Sequence, residues 1–461
     1  KPDGFGIRHV QVVLIFLMLT VAYALRVNLS VAIVAMVDKN ATNPEFEEFD
    51  WNESTKSVIL SSFFWGYVVT QIPAGLLAKK LGAKLLTMIG MFVCSLLTLL
   101  TPIFAHIGGS SLVIALRVVQ GLCQGVLFPS THTLLSKWAP ASERGRFGTY
   151  TYAGAQFGTV VMLIVSGVLA ESSAGWPGIF YVSGGAGILW SILWFFFGSD
   201  SPSEDKRISP EEREFIESSL GTNHNSTKFT TPWLAILMSG PMWAVIIAHS
   251  CHNWGFWTLL TEMPTYMKNV LDLDIKKNAL LSALPYFVFW IVSLIMSIVS
   301  DYLINNNFLS RLACRKIFNS IGLWGPMGAL LGLAFVTKGN TELAVGLLTL
   351  AVGINAGQYL GFQVNHIDLS PNHAGFMMGI TNCAANIMSI IAPLVVGFVL
   401  TDATDPIQWR IVFFISSGIY FFGGLMFNIL AKSDIQSWNE PSTSKKTDEP
   451  VNNPDHPEAQ Y

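Results

Sequence analysis

Runs of about twenty or more apolar residues recur along this chain, separated by short polar breaks. Each is long enough to cross a hydrocarbon core of about 30 Å at 1.5 Å per helical residue. The apolar residues are bunched in these runs, not spread as the amphipathic stripes of several soluble domains, which the length of 461 residues would otherwise suggest. Only 12% of the residues are charged, where a soluble chain carries about a quarter. Mean hydropathy is +0.47, and a net charge of −3 points neither to nucleic acid nor to an anionic surface. The sequence is that of an all-α integral membrane protein.

Reading between polar breaks gives twelve spans: His9–Val37, Ser57–Ala78, Leu85–Ala105, Ser111–Leu135, Phe147–Ala170 and Gly178–Phe197, then Met242–Tyr266, Asn278–Ile304, Cys314–Val336, Leu343–Gln363, Ala374–Leu400 and Ile411–Ala431. The expected organisation is a six-helix bundle over 1–197, a linker with a short helix over 198–232, a second six-helix bundle over 233–431 and a disordered tail over 432–461. The first run is too long for a removable signal peptide and lacks a small-residue cleavage site. The chain begins at Lys1, so an N-terminal sorting signal is expected to fall outside it. The five cysteines, Cys94, Cys123, Cys251, Cys314 and Cys383, fall in spans or at their ends without metal-ligand spacing and read as free packing residues.

Loop charges orient the chain. Lys79, Lys80 and Lys84 follow span 2, Lys137, Arg144 and Arg146 follow span 4, and Arg311, Arg315 and Lys316 follow span 8. These loops share one side, expected to be the cytoplasm, and both termini belong with them. The opposite side holds an acidic loop with Glu45, Glu47, Glu48 and Asp50, and two glycosylation sequons at Asn40 and Asn52. Lys268, Lys276 and Lys277 on that side run against the charge rule and are outvoted. Glycines four apart recur in span 4 (Gly121, Gly125), span 5 (Gly154, Gly158), span 10 (Gly353, Gly357, Gly361) and span 11 (Gly375, Gly379). Such spacing lets helices approach closely in lipid, and its recurrence six spans later suggests a duplicated bundle built for alternating access. In the linker, Ser209-Pro-Glu-Glu212 reads as a capping box opening a short helix over Pro210–Leu220, with Gly221 as its stop.

All but two of the 27 lysines and arginines lie in loops, span ends or tails. The two are Arg26 in span 1 and Arg117 in span 4. A cation near the bilayer centre costs about 2.5–3.5 kcal/mol on insertion scales, so it needs a partner or a task. No carboxylate lies at comparable depth in the first six spans. Two guanidinium groups in one bundle form a ready anion site, matching carboxylate or phosphate oxygens bidentately. The alternative is that each binds backbone carbonyls or a helix C-terminus. His132 near the basic end of span 4 either lines the pathway, titrating near neutral pH, or packs. Tyr67 in span 2 offers a hydroxyl to an anion. His252 and Asn253 in span 7 and Asn382 in span 11 are further pathway candidates, with His249 an interface residue and Glu262 solvated. Asp301, closing span 8, is placed for a charge-pair latch, and Arg144 is its companion among gating or structural charges. Neither a nucleophile–base set nor a metal cluster appears, so an enzyme is not expected and no cofactor is implied.

Several strings carry a resemblance: Ser62-Phe-Phe-Trp-Gly-Tyr-Val-Val-Thr-Gln-Ile-Pro-Ala-Gly75, Arg117-Val-Val-Gln-Gly121, Lys137-Trp-Ala-Pro-Ala-Ser-Glu-Arg144, Leu260-Thr-Glu-Met-Pro-Thr-Tyr-Met267, Asn365-His-Ile-Asp-Leu-Ser-Pro371 and Lys432-Ser-Asp-Ile-Gln-Ser-Trp438. Together they resemble the anion:cation symporter family of the major facilitator superfamily, which includes sialin, the vesicular glutamate transporters and sodium-dependent phosphate cotransporters. The resemblance covers nearly the whole chain. It implies that Arg26 and Arg117 match arginines tied to anion transport, His132 a span-4 histidine of sialin, and Tyr67 a span-2 tyrosine of the glutamate carriers. The chain departs from the glutamate carriers at His252, where they have arginine, and at Leu60, where they have histidine. Gln124 stands where they and sialin have a glutamate linked to proton coupling. Glutamine cannot titrate, and this pattern resembles the phosphate-cotransporter branch.

The expected function is therefore symport of a small anion, inorganic phosphate or a related organic anion, with Na+ or H+ as coupling ion. One alternative is a sialin-like, proton-coupled exporter of acidic sugars or amino acids from lysosomes or vesicles. Another, of a different class, is an anion channel or a transport-dead sensor. The expected setting is a monomer in the plasma membrane or an endomembrane.

Overall fold

The computed structural model describes residues 4–37, 43–51, 53–220, 231–272, 275–402 and 404–440. The sequons at Asn40 and Asn52 and the stop at Gly221 lie outside them. Fifteen α-helices follow one another: α1 Ile7–Val37, α2 Glu53–Leu81, α3 Ala83–Gln124, α4 Leu127–Trp138, α5 Arg144–Glu171, α6 Gly175–Phe197, α7 Pro210–Leu220, α8 Trp233–Leu237, α9 Gly240–Asn269, α10 Ile275–Asn305, α11 Arg311–Leu333, α12 Thr341–Ile354, α13 Phe362–Leu369, α14 Ala374–Val399 and α15 Pro406–Leu430.

Among the described residues, nine helical stretches are long and apolar enough to cross a membrane. One of them, Ala83–Trp138, holds two passes. It reverses at Gly109, whose φ of 57° and ψ of −147° suit a residue without Cβ. The two arms then lie side by side, with Gln120 donating to Thr98 Oγ1 at 3.1 Å. α9 and α11 have the length to cross at 1.5 Å per residue. Their apolar character is diluted by His249, His252 and Asn253 in one and by Arg315 and Asn319 in the other. Counting α12, the 3-10 turn Asn355–Tyr359 and α13 as one broken pass gives twelve.

The packing repeats. α1 lies on α5 and α6, and α9 lies on α14 and α15; α3 packs on α6 as α11 packs on α15. The two most extensive contacts between the halves, α2 with α14 and α5 with α10, exchange under the same two-fold relation, and α4 also packs on α14. The glycines follow that relation only in part. Gly154 and Gly158 meet the backbone of Phe16 and Thr20 within the first half, whereas Gly375 and Gly379 meet Pro129 and Gln71 of the opposite half. In span 11 the small residues let the two halves close on each other, so matched spacing there does not mean matched contacts.

On the side of the basic loops, α7 begins as expected, with the Glu212 N–H donating to Ser209 Oγ at 3.2 Å. The reciprocal half of the capping box is not made. Glu212 instead accepts from the N–H groups of Ile7 and Arg8 at 3.0 and 3.1 Å, and from Arg8 Nη1 at 2.8 Å. A carboxylate at the N-terminus of α1 answers two of the four orphan amides and the positive end of the helix dipole. Arg8 Nε also donates to Glu143 at 3.0 Å, so the linker helix, α1 and the α4–α5 loop are tied at one point. Residues 432–440, expected to be disordered with the rest of the tail, are ordered. Gln436 N–H donates to Leu369 O at 2.9 Å, and buried Asn439 accepts from Ser370 Oγ at 2.7 Å. Both ends of the described chain thus lie on the basic side. All five cysteines are free.

Candidate functional site

Arg26 lies half-buried in α1, where the first half faces the second. Three aromatic rings surround its guanidinium: Tyr23 and Tyr67 at 4.5 Å and Phe63 at 5.0 Å. Its Nη2 donates to Gln124 Oε1 at 3.3 Å, and Nε is buried without a partner. Gln124 is held in that orientation, because its own amide nitrogen donates to Ala22 O at 2.9 Å. Among the described residues no carboxylate pairs with Arg26. Rings and an amide attract a cation, each ring by about 0.5–2 kcal/mol, but they do not neutralise it. The site has a free positive charge with planar donor geometry.

Arg117 is used differently. It is 4% exposed, and it donates to the backbone carbonyls of Leu25 at 3.4 Å and Arg26 at 3.1 Å, and to Gln120 Oε1 at 3.2 Å. Helix carbonyls keep a second lone pair for such bonds. Arg117 therefore buttresses α1 where Arg26 projects, with its guanidinium 4.9 Å from the same Phe63 ring. The structure does not bring two free guanidinium groups together.

The second half reaches this site through Asn382, which donates to Tyr67 Oη at 3.1 Å and to Gln71 Oε1 at 2.8 Å. Asn386 donates back to Asn382 O at 2.7 Å, and Asn253 to Ser389 Oγ at 3.2 Å. Tyr67 and Asn382 are thus joined across the halves beside Arg26. His252 is placed elsewhere, among Phe256 and Phe362, with His249 stacked on Phe362 at 4.9 Å.

The basic side is sealed by charges. Asp368 accepts from Arg144 of the first half at 2.9 Å and from Arg315 of its own half at 2.7 Å. Asp301 accepts from the Arg146 N–H at 2.9 Å and from Arg146 Nε at 3.4 Å, placing a carboxylate at the N-terminus of α5. The charge pair expected at Asp301 is made with Arg146, and Arg144 pairs with Asp368 instead. His132 does not face an open path here. It sits within the seal, bonded to Gln363 O at 2.9 Å and to the Tyr152 hydroxyl. Across the loop between α13 and α14, Lys79 Nζ stands 3.4 Å from His373 Nδ1. Burial, with the Lys79 ammonium adding to it, pushes the His373 imidazole down to about 4. Sequence reasoning missed Asp368, Arg315, Gln71, Asn386 and His366. Asp368 and His366 stood inside a quoted motif, and an acid flanked by Ile367 and Leu369 was the available signal.

The family model described as Major Facilitator Superfamily matches residues 15–393. The chain belongs to the major facilitator superfamily. It is accordingly a multi-pass membrane transporter and not an enzyme. Its similarity to individual members is extensive. It is 42% identical over 456 residues to a protein of Drosophila ananassae named "Putative inorganic phosphate cotransporter", covering 94% of each chain. It is 39% identical over 458 residues to sialin of Homo sapiens, covering 95% of this chain and 92% of that one. It is 35% identical over 448 residues to vesicular glutamate transporter 1 of Bos taurus, covering 95% and 79%. Among solved structures, the superfamily transporter FucP in its outward conformation matches with a TM-score of 0.66 at 16% identity, over 90% of this chain and 97% of that one. The proton:xylose symporter XylE matches with a TM-score of 0.68 at 15% identity, over 93% and 97%. At such identity the likeness concerns the fold, two six-helix bundles in twelve passes.

Proposed function

We propose that this transporter moves a small anion by alternating access, as symport with Na+ or H+, and that the anion is inorganic phosphate or a related organic anion. The observation that carries the reading is Arg26: a guanidinium at the junction of the two halves with no carboxylate beside it among the described residues, which an anionic solute would neutralise. Tyr67 and Asn382 are the hydroxyl and amide that would orient the solute from either half, and Arg117 holds the backbone under Arg26. The relatives named for phosphate and glutamate support an anionic cargo, since negative charge is what their two solutes share. The basic side is assigned to the cytoplasm, so the present state is closed to the cytoplasm by the Asp368 and Asp301 latches. The bundles 1–197 and 233–431 are the bodies that rock, and a monomer holds a complete site.

Proteoliposomes test this. Labelled phosphate is expected to accumulate against its gradient when an inward Na+ or H+ gradient is imposed. Arg26→Ala should abolish that uptake while the protein still elutes as a single species. Counter-flow of neither phosphate, urate, glutamate nor sialic acid by the unaltered protein would end the reading. His132, a titratable group inside the seal, favours a second reading, proton-coupled export of acidic sugars or amino acids. Flux of sialic acid or glutamate driven by a pH gradient with sodium absent would select it.

A further inference from the structure

Two buried histidines, one from each half, share one acceptor. His132 Nε2 lies 2.9 Å from the carbonyl oxygen of Gln363, and His366 Nδ1 lies 3.0 Å from the same oxygen. Their rings meet edge to face, with centroids 5.0 Å apart. A carbonyl oxygen only accepts, so both of those nitrogens carry hydrogen and the tautomers follow. In the neutral pair, His132 Nδ1 accepts from the Tyr152 hydroxyl, and His366 Nε2 accepts from Thr381 Oγ1 at 2.7 Å.

Thr381 has a second choice. Its hydroxyl also lies 3.3 Å from the carbonyl oxygen of Met378, one turn back on α14. If His366 Nε2 gains a proton, Thr381 can turn its hydrogen to Met378 O and accept from His366 instead. Every polar atom then keeps a partner, with the donor and acceptor of one bond exchanged. That reversal lets a buried imidazole hold a proton without leaving a hydrogen bond unmade.

We propose that His366 is the proton-binding residue of coupling, with Thr381 as its hydroxyl switch and His132 as the sensor in the opposite half. This rests on the symport reading above and names the coupling ion as H+. The groups facing His366 are His132 on α4, His249 on α9 and Thr381 on α14, with Tyr152 on α5 and Tyr359 in the 3-10 turn behind His132. The nearby carboxylate Asp368 is already taken by Arg144 and Arg315. His132 belongs to the first half and Gln363 to the second, so opening the basic side breaks their bond and exposes the shared carbonyl and His366 to water. Proton occupancy at His366 and closure of the seal thereby bias each other, as two sites linked through one two-state element. The seal also adjoins the solute site: Tyr152 stacks on Phe128 at 5.5 Å, Phe128 meets Tyr23 at 6.3 Å, and Tyr23 lies under Arg26. The proton enters with the anion on His366 Nε2 and leaves from that nitrogen to water on the basic side, one positive charge per cycle.

The test uses the full chain in proteoliposomes without sodium, with labelled phosphate, glutamate and sialic acid as probes. The unaltered protein should accumulate one of them when a pH gradient is imposed. His366→Gln should reduce gradient-driven accumulation at least tenfold, while counter-flow exchange falls less than threefold and loses its pH dependence. Thr381→Val should act in the same direction, coupling and pH dependence falling together while exchange persists, which a merely structural role for the hydroxyl does not predict, and Thr381→Ser should retain coupling. Accumulation driven by sodium and indifferent to the pH gradient would overturn the proposal, as would gradient-driven accumulation surviving in both His366→Gln and Thr381→Val. Absence of flux for every probe in the unaltered protein would instead overturn the symport reading beneath it.

Discussion

The centre of the interface and its basic-side seal handle buried charge in opposite ways. In the seal, Asp368 is bonded to both Arg144 and Arg315, Asp301 to Arg146, and Arg8 to both Glu143 and Glu212. At the centre, Arg26 has rings and an amide around it and no carboxylate among the described residues. Charges that close on one another hold a conformation, and breaking them opens it. A charge left without its opposite holds a place for something mobile. On the proposed reading, the contrast separates gate from site without appeal to position in the chain.

The contrast can be broken by substitution. The largest effect is expected for Asp368→Asn, which leaves Arg144 and Arg315 buried side by side. Removing one partner of such a pair costs about 3–5 kcal/mol. Thermal unfolding should shift down by several degrees, and a cysteine placed at Ser136 should react faster with a thiol reagent applied from the basic side. Arg117→Met should cost roughly 2–3 kcal/mol, the range for losing charge-assisted bonds to buried acceptors, and should weaken anion binding less than Arg26→Ala does. Asp301→Asn removes a carboxylate from the N-terminus of α5 and a partner from half-exposed Arg146, so about 1–2 kcal/mol is expected, read as a smaller rise in labelling at the same cysteine.

The effect that is smallest near neutrality, and grows with acid, concerns pH. His373 is held down to about 4 in the closed seal, against about 6.5 when solvated. Between those values the open arrangement binds more protons, so acid favours opening. The closed state should lose at most about 1.4 kcal/mol per pH unit as pH falls from 6.5 toward 4. Labelling at Ser136→Cys should rise over that window, and His373→Asn should flatten the dependence.

Much of this was legible beforehand for one reason: lipid makes burial expensive. Apolar length gave the passes, and insertion cost singled out Arg26 and Arg117. The use made of each arginine was not legible, because Arg117's acceptors are backbone carbonyls on another helix, which leave no mark in the sequence. Asp368 was invisible as a gate residue for a similar reason. Its partner Arg144 lies 224 positions away, and only the docking of the halves brings them together. Glu212 was recognised as a capping residue, but the helix it caps is α1 rather than its own. The ordered stretch 432–440 looked like tail, since polar composition alone did not reveal that Asn439 bonds to Ser370 and Asn372. Periodicity reports which faces are apolar, and partners between faces are settled by tertiary docking.

The most direct test of the contrast is thermal unfolding of the purified protein and of Arg26→Ala, each with and without phosphate, glutamate or sialic acid. An anion that binds the folded protein stabilises it by RT ln(1 + [L]/Kd). The account predicts that one of these anions raises the midpoint of the unaltered protein with concentration. Arg26→Ala should keep its ligand-free midpoint and lose that rise. A rise that survives in Arg26→Ala, or a ligand-free midpoint that drops as far as in Asp368→Asn, would contradict it.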